Sequence, residues 1–340
     1  MTIRTIAENL GISYSTVSRC LNNDPKVSEK TRQRVIDEAN RIGFAFNVNA
    51  RSLITKKTNR IGLIYSNCFN MADFRWFFNE IETYATSAVE KYSYDYMIQP
   101  NNNYMGLSNI ARMVGGKMVD GLAIFSRDVT EHDFRLLQEQ KIPYVFVYYQ
   151  PPEAEGKKQF FYADNKAGGY LATKSLIERG HRNILSIRSN DPLQKMYDQR
   201  TLGYLQAMNE YGLEGKVLKF PMGFDGCKDY VRSHMDEIMQ FSAVFCQQSN
   251  LALSMIQELK KKGIRVPEDL SIVGYDDIDL IRYMEVPLDV ITDAKPRVIS
   301  SAIEALVAQI EGKEDRVPRC FAPKLLERSS VRDLRGEARI

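Results

Sequence analysis

This 340-residue chain lacks what several large function classes need. No run of about 18 apolar residues occurs, so no membrane-spanning helix is expected. The first residues are polar and helix-like, without the hydrophobic region of a secretory signal, which points to the cytoplasm. There are three histidines, His132, His181 and His234, and no H-E-x-x-H, G-x-S-x-G or P-loop pattern. A GxGxxG dinucleotide fingerprint is also missing. Metal hydrolysis, serine nucleophilicity and nucleotide chemistry thus have no visible machinery, and neither enzyme activity nor a cofactor is expected. His181, in RGHRNI, reads as structural. The cysteines, Cys20, Cys68, Cys227, Cys246 and Cys320, are odd in number and far apart, against a disulfide framework or zinc cluster. They fit buried small hydrophobes.

What is present is uneven. The chain carries +3 overall, yet residues 1–60 hold eleven Lys and Arg against five Asp and Glu, a net +6 that leaves −3 for the remainder. A basic N-terminal module on a mildly acidic body is the footprint of a polyanion binder. Within it, TIRTIAENLGISYSTVSRCLN (2–22) reads as two short helices around a tight turn. Ile6, Ala7 and Leu10 fall at helical spacing, as do Val17 and Leu21. Gly11 can end the first helix in a left-handed conformation, and Ser13 can cap the second. With Val17 and Leu21 buried, Tyr14, Ser15, Thr16, Ser18, Arg19 and Asn22 remain for phosphates and base edges. A third helix is expected at 29–42, capped by Ser28 and stopped by Gly43.

From Ile61 the texture changes. Apolar runs at 61–65, 94–98, 120–125 and 143–148 alternate with helical patterns near 76–91, 104–115 and 131–140. The rhythm resumes with strands at 183–187, 243–246 and 270–274, a weaker one near 217–220, and helices near 166–178, 194–211, 227–240 and 249–262. A long helix near 296–311 and a strand near 322–328 complete it. This is βαβ rhythm, which implies parallel sheets with helices on both faces. Two lobes of similar size place a small-molecule site between them, at the carboxyl ends of the strands.

The segments TVSRCLN, KTRQRVIDEANRIGF (30–44) with NVNARSL (47–53), ADNKAGGYLATKSLIERGHRNI (163–184) with RTLGYLQAM (200–208), and GIRVPEDLSIVGYDDIDL (263–280) resemble the lactose-repressor (LacI/GalR) family of transcription regulators. The resemblance runs over essentially the whole chain. It implies an all-α helix-turn-helix headpiece (1–46), a hinge helix and linker (47–59), and an α/β periplasmic-binding-protein-like core (60–340) of two doubly wound parallel-sheet lobes. Lobe 1 would take about 60–160 and 293–323, lobe 2 about 161–292 and 324–330. The implied protein is a homodimer on palindromic operator DNA. It would be a repressor of carbohydrate-utilisation genes under a small sugar or sugar-derived effector. By matched positions Tyr14, Ser15 and Arg19 read base edges, and Thr16, Ser18 and Asn22 hold the backbone. Thr5, Ala50 and Leu53 also belong to the DNA face. Residues 47–54 are too short for a stable helix alone. The family's hinge helices order on the operator, where Leu53 would wedge into the minor groove; otherwise it is an ordinary buried leucine. Phe46 stands where the family usually has proline.

The resemblance also marks an effector cleft. Arg200 matches the family arginine that holds hydroxyls or carboxylates, and Asp276 ends an apolar run in GYDD. Phe77 and Phe224 match stacking aromatics, although either could be core. Arg200 and Asp276 could instead form a structural pair, and Asp164 is either a ligand contact or a helix cap. Ser249 stands where the family has a sugar-binding aspartate, and Arg127 and Arg188 follow expected strand ends. Losing a carboxylate and gaining guanidinium groups leads to an expected acidic or phosphorylated effector. A periplasmic sugar-binding protein is excluded by the headpiece. A core that binds a protein partner remains open, and a collapsed apolar cleft would favour it.

Overall fold

The computed structural model describes residues 2–21, 24, 26–44, 57–70, 75–154, 156, 158–191, 195–221 and 224–336. They form two units, Met1–Thr58 and Asn59–Ile340. The first holds helices α1 (Ile3–Leu10), α2 (Tyr14–Leu21) and α3 (Glu29–Arg41) around one apolar cluster of Ile6, Ala7, Val17, Cys20, Val35 and Ala39. Gly11 closes α1 at φ 64°, where a Cβ would be strained. The Ser13 hydroxyl accepts from Thr16 N at 3.0 Å and starts α2. Ser28 caps α3 by accepting from Thr31 N at 3.3 Å. A charged clamp closes the unit: Glu38 accepts from Asn9 at 2.6 Å and twice from Arg41, at 2.6 and 2.7 Å. The hydrogen bond from Arg41, then that from Asn9, pulls its carboxyl down to about 2.

The second unit contains two six-stranded sheets. Lobe 1 has β1 (Arg60–Tyr65), β2 (Asp95–Pro100), β5 (Gly121–Phe125), β6 (Tyr144–Val147), β7 (Phe160–Ala163) and β13 (Cys320–Phe321), in the order β13-β7-β6-β5-β1-β2. Lobe 2 has β8 (Ile184–Ser189), β9 (Lys216–Phe220), β10 (Ala243–Cys246), β11 (Ser271–Tyr275), β12 (Asp289–Thr292) and β14 (Lys324–Leu326), in the order β14-β12-β11-β10-β8-β9. Pairing is parallel throughout these sheets except at β14, which runs antiparallel to β12. A small hairpin, β3 (Asn103–Tyr104) with β4 (Leu107–Ser108), stands apart. The central strands are buried on both faces, and so read as continuous apolar runs rather than alternating ones.

Helices α4 (Arg75–Lys91), α5 (Asn109–Gly115) and α6 (Glu131–Glu139) belong to lobe 1. Lobe 2 has α7 (Asn165–Glu178), α8 (Lys195–Glu210), α9 (Phe224–Ser233), α10 (Met235–Ile238) and α11 (Ser249–Lys261). Helix α12 (Lys295–Ile310) returns to lobe 1, where it packs on β5, β6 and β7 and buries Val298, Ile299, Ala302, Ile303 and Leu306. The chain therefore crosses between lobes at 163–165, 292–295 and 321–324.

Several elements differ from the sequence-based expectation. The helix expected at 104–115 starts only at Asn109, because Gly106 at φ 82° turns the β3–β4 hairpin and Ser108 caps the shorter helix α5. The helix expected at 227–240 is two, broken at His234, whose φ of −114° is not helical. The single strand expected at 322–328 is divided between lobes around Pro323, which lacks an N–H for a ladder. Strands β7 and β12 have no counterpart in the sequence-based expectation; β7 is only alternately buried, and in β12 the polar ends Asp289 and Thr292 shorten the apolar run.

Candidate functional site

The headpiece presents one polar helix face. Val17 and Cys20 turn α2 inward, with Leu21 only half-buried, so the inner stripe is Val17–Cys20 rather than Val17–Leu21. This leaves Tyr14, Ser15 and Arg19 exposed, with Thr16 and Ser18 half-buried beside them. Arg19 has its nearest carboxylate, Asp24, at 3.9 Å, too far for a hydrogen bond. Thr5 lies on α1, half-buried, with its hydroxyl 3.4 Å from that of Thr2 in a capping box. Asn22, Ala50, Leu53, Phe46 and the expected hinge helix lie outside the described residues.

In the two-lobed unit the carboxyl ends of the strands face a cleft. Trp76, Phe77, Tyr148 and Tyr149 line it from lobe 1, and Tyr197, Arg200, Gln248, Ser249 and Asp276 from lobe 2. Asn165 and Asp293, at two of the crossings, complete the wall. Burial leads the causes that push the phenols of Tyr148, Tyr149 and Tyr197 up, so they stay protonated. The free space is only about 50 Å³, against roughly 300–1,000 Å³ for typical ligand pockets. The walls are largely aromatic, but Arg200, Asp276, Asp293, Asn165 and Gln248 stand among them, so the cleft is not a purely apolar seam.

Arg200 forms the floor. It is 4% exposed, and its Nε donates to Asn165 Oδ1 at 2.8 Å while Nη1 donates to the Gln247 carbonyl. Its Nη2 lies 3.5 Å from Asp276 Oδ1, and the guanidinium sits 3.5 Å above the Tyr275 ring. Burial opposes the charge, but Asp276 more than offsets it, and the group stays ionised. Asp276 follows β11 with φ 74°, Tyr148 follows β6 at φ 66°, and Ala294 in the 292–295 crossing has φ 55°. Left-handed conformations cost non-glycine residues about 1–3 kcal/mol each and persist where surrounding structure holds them. All three lie in the cleft wall or beside it.

Other expected effector residues are placed differently. Arg127 is not in the lining: its guanidinium pairs with Asp191 of lobe 2, joining the lobes. Arg188 lies inside β8 rather than after it and pairs with Asp198 at 2.5 Å. Asp164 caps α7, its carboxylate accepting from Ala167 N at 2.9 Å, and its neighbours Ala163 and Asn165 face the cleft instead. Ser249 does line the cleft, but its hydroxyl donates to the Tyr275 carbonyl at 2.7 Å and so steadies the turn that carries Asp276. Phe224 opens α9, and its side chain lies outside the described residues. Phe77 lines the cleft, 6.0 Å from the Tyr148 ring. Sequence reasoning missed Tyr148 and Tyr149, although Tyr148 ends the expected apolar run 143–148 and Tyr149 directly follows it, which was the available signal. It also missed Asp293, since the polar ends of β12 leave no apolar run to mark the strand it follows.

A family model for bacterial regulatory proteins of the lacI family matches residues 2–47, and one for a periplasmic binding protein-like domain matches residues 173–331. The HTH-type transcriptional repressor PurR of Vibrio atlanticus is 32% identical over 346 residues, covering 98% of this chain and 99% of that protein. PurR of Aliivibrio fischeri is 31% identical over 344 residues, covering 97% and 98%. Among solved structures, the transcriptional regulator CelR in complex with cellobiose is 25% identical with a TM-score of 0.67, over 97% of this chain and 99% of that one. The lac repressor dimer bound to operator and the anti-inducer ONPF shares the fold at 19% identity and a TM-score of 0.78, over 98% and 99%.

Proposed function

From the premise that the chain belongs to the lacI family of bacterial regulatory proteins, we propose that a neutral, ring-shaped, sugar-like ligand held between the lobes governs its repression of transcription. The protein is a DNA-binding transcriptional repressor that acts as a dimer on operator DNA and has a ligand-binding core; it is not an enzyme. Among the described residues no helix is long and apolar enough to cross a membrane.

The observation that carries the ligand reading is Arg200 and Asp276 side by side at 3.5 Å beneath aromatic walls. A guanidinium and a carboxylate together offer donors and an acceptor to neighbouring hydroxyls, and aromatic faces cover the apolar face of a ring. The CelR complex with cellobiose supports a sugar. An acidic or phosphorylated effector loses its ground, since Arg127 and Arg188 are committed to Asp191 and Asp198. A planar heterocycle such as a purine is the second reading, favoured by the aromatic lining and by the PurR relatives, which share more identity with this chain than CelR does. The regulated genes would serve use of the ligand. Because the free space is below that of typical ligand pockets, binding would part the walls. The lobe movement would change the dimer's grip on DNA, and by linkage operator would change ligand affinity equally.

Calorimetric titration of the full chain with cellobiose, ribose, glucuronate, glucose 6-phosphate and adenine tests this reading. A neutral sugar should bind and shift a gel-retardation assay on palindromes beside the gene. Heat from the charged sugars alone overturns the proposal, and heat from adenine alone selects the heterocycle. On the DNA side, Tyr14, Ser15 and Arg19 would read bases, with Asn22, Ala50 and Leu53 extending the contact. Arg19→Ala is expected to cost about 1–3 kcal/mol at one base pair and relax preference there. Unchanged discrimination in a binding-site selection would refute this register.

A further inference from the structure

Asp293 lies where the chain crosses from β12 to α12, 3% exposed and part of the cleft wall. Its Oδ1 has no hydrogen-bond partner of ordinary geometry among the described residues, and neither has the hydroxyl of Tyr148, which faces the carboxyl. Lys295 Nζ approaches that oxygen only to 3.9 Å, beyond hydrogen-bond reach. Lys295 is held elsewhere: its ammonium is 2.9 Å from Glu80 Oε2 and 5.2 Å from the centre of the Phe77 ring. The other Glu80 oxygen accepts from Asp279 N, across on lobe 2, at 3.0 Å. Glu80 thus draws the ammonium away from Asp293 while tying the lobes together. Ala294, between Asp293 and Lys295, is left-handed, with φ 55°.

Buried carboxylate oxygens are normally satisfied, and an orphan in a binding cleft points at its occupant. We propose that Asp293 is a ligand-contacting residue of the effector cleft, accepting a hydrogen bond from a hydroxyl or N–H of the bound ring and so helping to select it. The assignment rests on the cleft being the effector site.

A consequence is pH dependence. Burial lifts the Asp293 carboxyl to about 6; Lys295 and Arg200 work against the rise, and Asp276 and Glu80 add to it. Tyr148 also faces this carboxyl, which helps keep the phenol protonated. Above that pH Asp293 is a charged acceptor; below it the proton occupies the position the ligand donor needs. Ligand affinity is therefore full on the alkaline side and falls on the acid side.

The test is calorimetry on the full chain with cellobiose, ribose and adenine as probes, at about pH 7.5 and about pH 5. A probe that binds wild type should lose about tenfold in affinity between the two, the fraction expected for a carboxyl titrating near the midpoint. Asp293→Asn should bind more weakly at the higher pH and show a flat profile. A flat wild-type profile, which needs no variant to fold, overturns the proposal. So does an Asp293→Asn protein with wild-type affinity and slope. Arg200→Ala separates the two levels. If it abolishes binding while Asp293→Asn changes nothing, only the Asp293 assignment falls. Binding that survives Arg200→Ala, or no heat from any probe, removes the cleft reading and this one with it.

Discussion

Gly203→Ala should destabilise the two-lobed core by about 3 kcal/mol and lower its melting temperature by roughly 6–10 °C. Gly203 sits on α8 where that helix meets α7. A Cβ there would lie 2.0 Å from Lys166 O and 2.6 Å from Tyr170 N. The approach is reciprocal, since a Cβ on Gly169 of α7 would lie 2.0 Å from Arg200 O. The obstacles are backbone atoms in regular helix, so no side-chain rotation relieves them and the helices must separate. Separation would loosen Tyr204, Ala207 and Met208, all buried under α8 with β8 and β10. It would also shift Arg200, so Gly169→Ala should weaken ligand binding as well as stability. Thermal and urea unfolding, followed by circular dichroism, check the first effect. An unchanged midpoint would show that the helices have room that the glycine contacts deny.

The same two segments show how much of this protein is legible in its sequence. ADNKAGGYLATKS and RTLGYLQAM mark a helix pair and the cleft arginine. The reason for glycine at 169 and 203 becomes visible only when the two helices are brought together. The βαβ rhythm is legible because strands such as GLAIF are buried on both faces and stand out as apolar runs. The helix-turn-helix is legible because capping and apolar spacing are local. Charge pairing is not local: Asp191 is 64 residues from Arg127, and nothing around Arg127 announces that its guanidinium joins the lobes instead of meeting a ligand. The expectation of an anionic effector loses the support of Arg127 and Arg188 for that reason. Asp164 shows the converse, since its cap on Ala167 N is three residues away and is one of the two readings its position allows. Tyr148 and Tyr149 are within reach of the rule that ligands bind beyond strand carboxyl ends. Asp293 is not, because its role depends on where Glu80, 213 positions earlier in the chain, holds Lys295.

Arg200→Ala should lower effector affinity at least a hundredfold and leave a repressor that holds operator but no longer responds to ligand. The guanidinium contributes through position as well as charge. Asn165, the Gln247 carbonyl, the Tyr275 ring and Asp276 fix it from four sides, so its donors are oriented before a ligand arrives. Truncation removes those donors from the ligand. It also leaves the Gln247 carbonyl, Asn165 Oδ1 and Asp276 without their partner, which costs about 1–3 kcal/mol of core stability for a buried polar group left unmatched. Arg200→Lys separates charge from geometry. An ammonium restores the positive charge beside Asp276 but cannot donate in the fixed fork of a guanidinium. It should recover much of the stability and little of the affinity. The headpiece contributes none of these partners, so operator retention without ligand should match wild type in both variants. Calorimetry gives the affinity, and gel retardation with and without ligand gives the response. If Arg200→Lys restored full affinity, charge alone would hold the effector. The donor–acceptor pairing of Arg200 with Asp276 would then no longer be the basis for a hydroxyl-bearing ring.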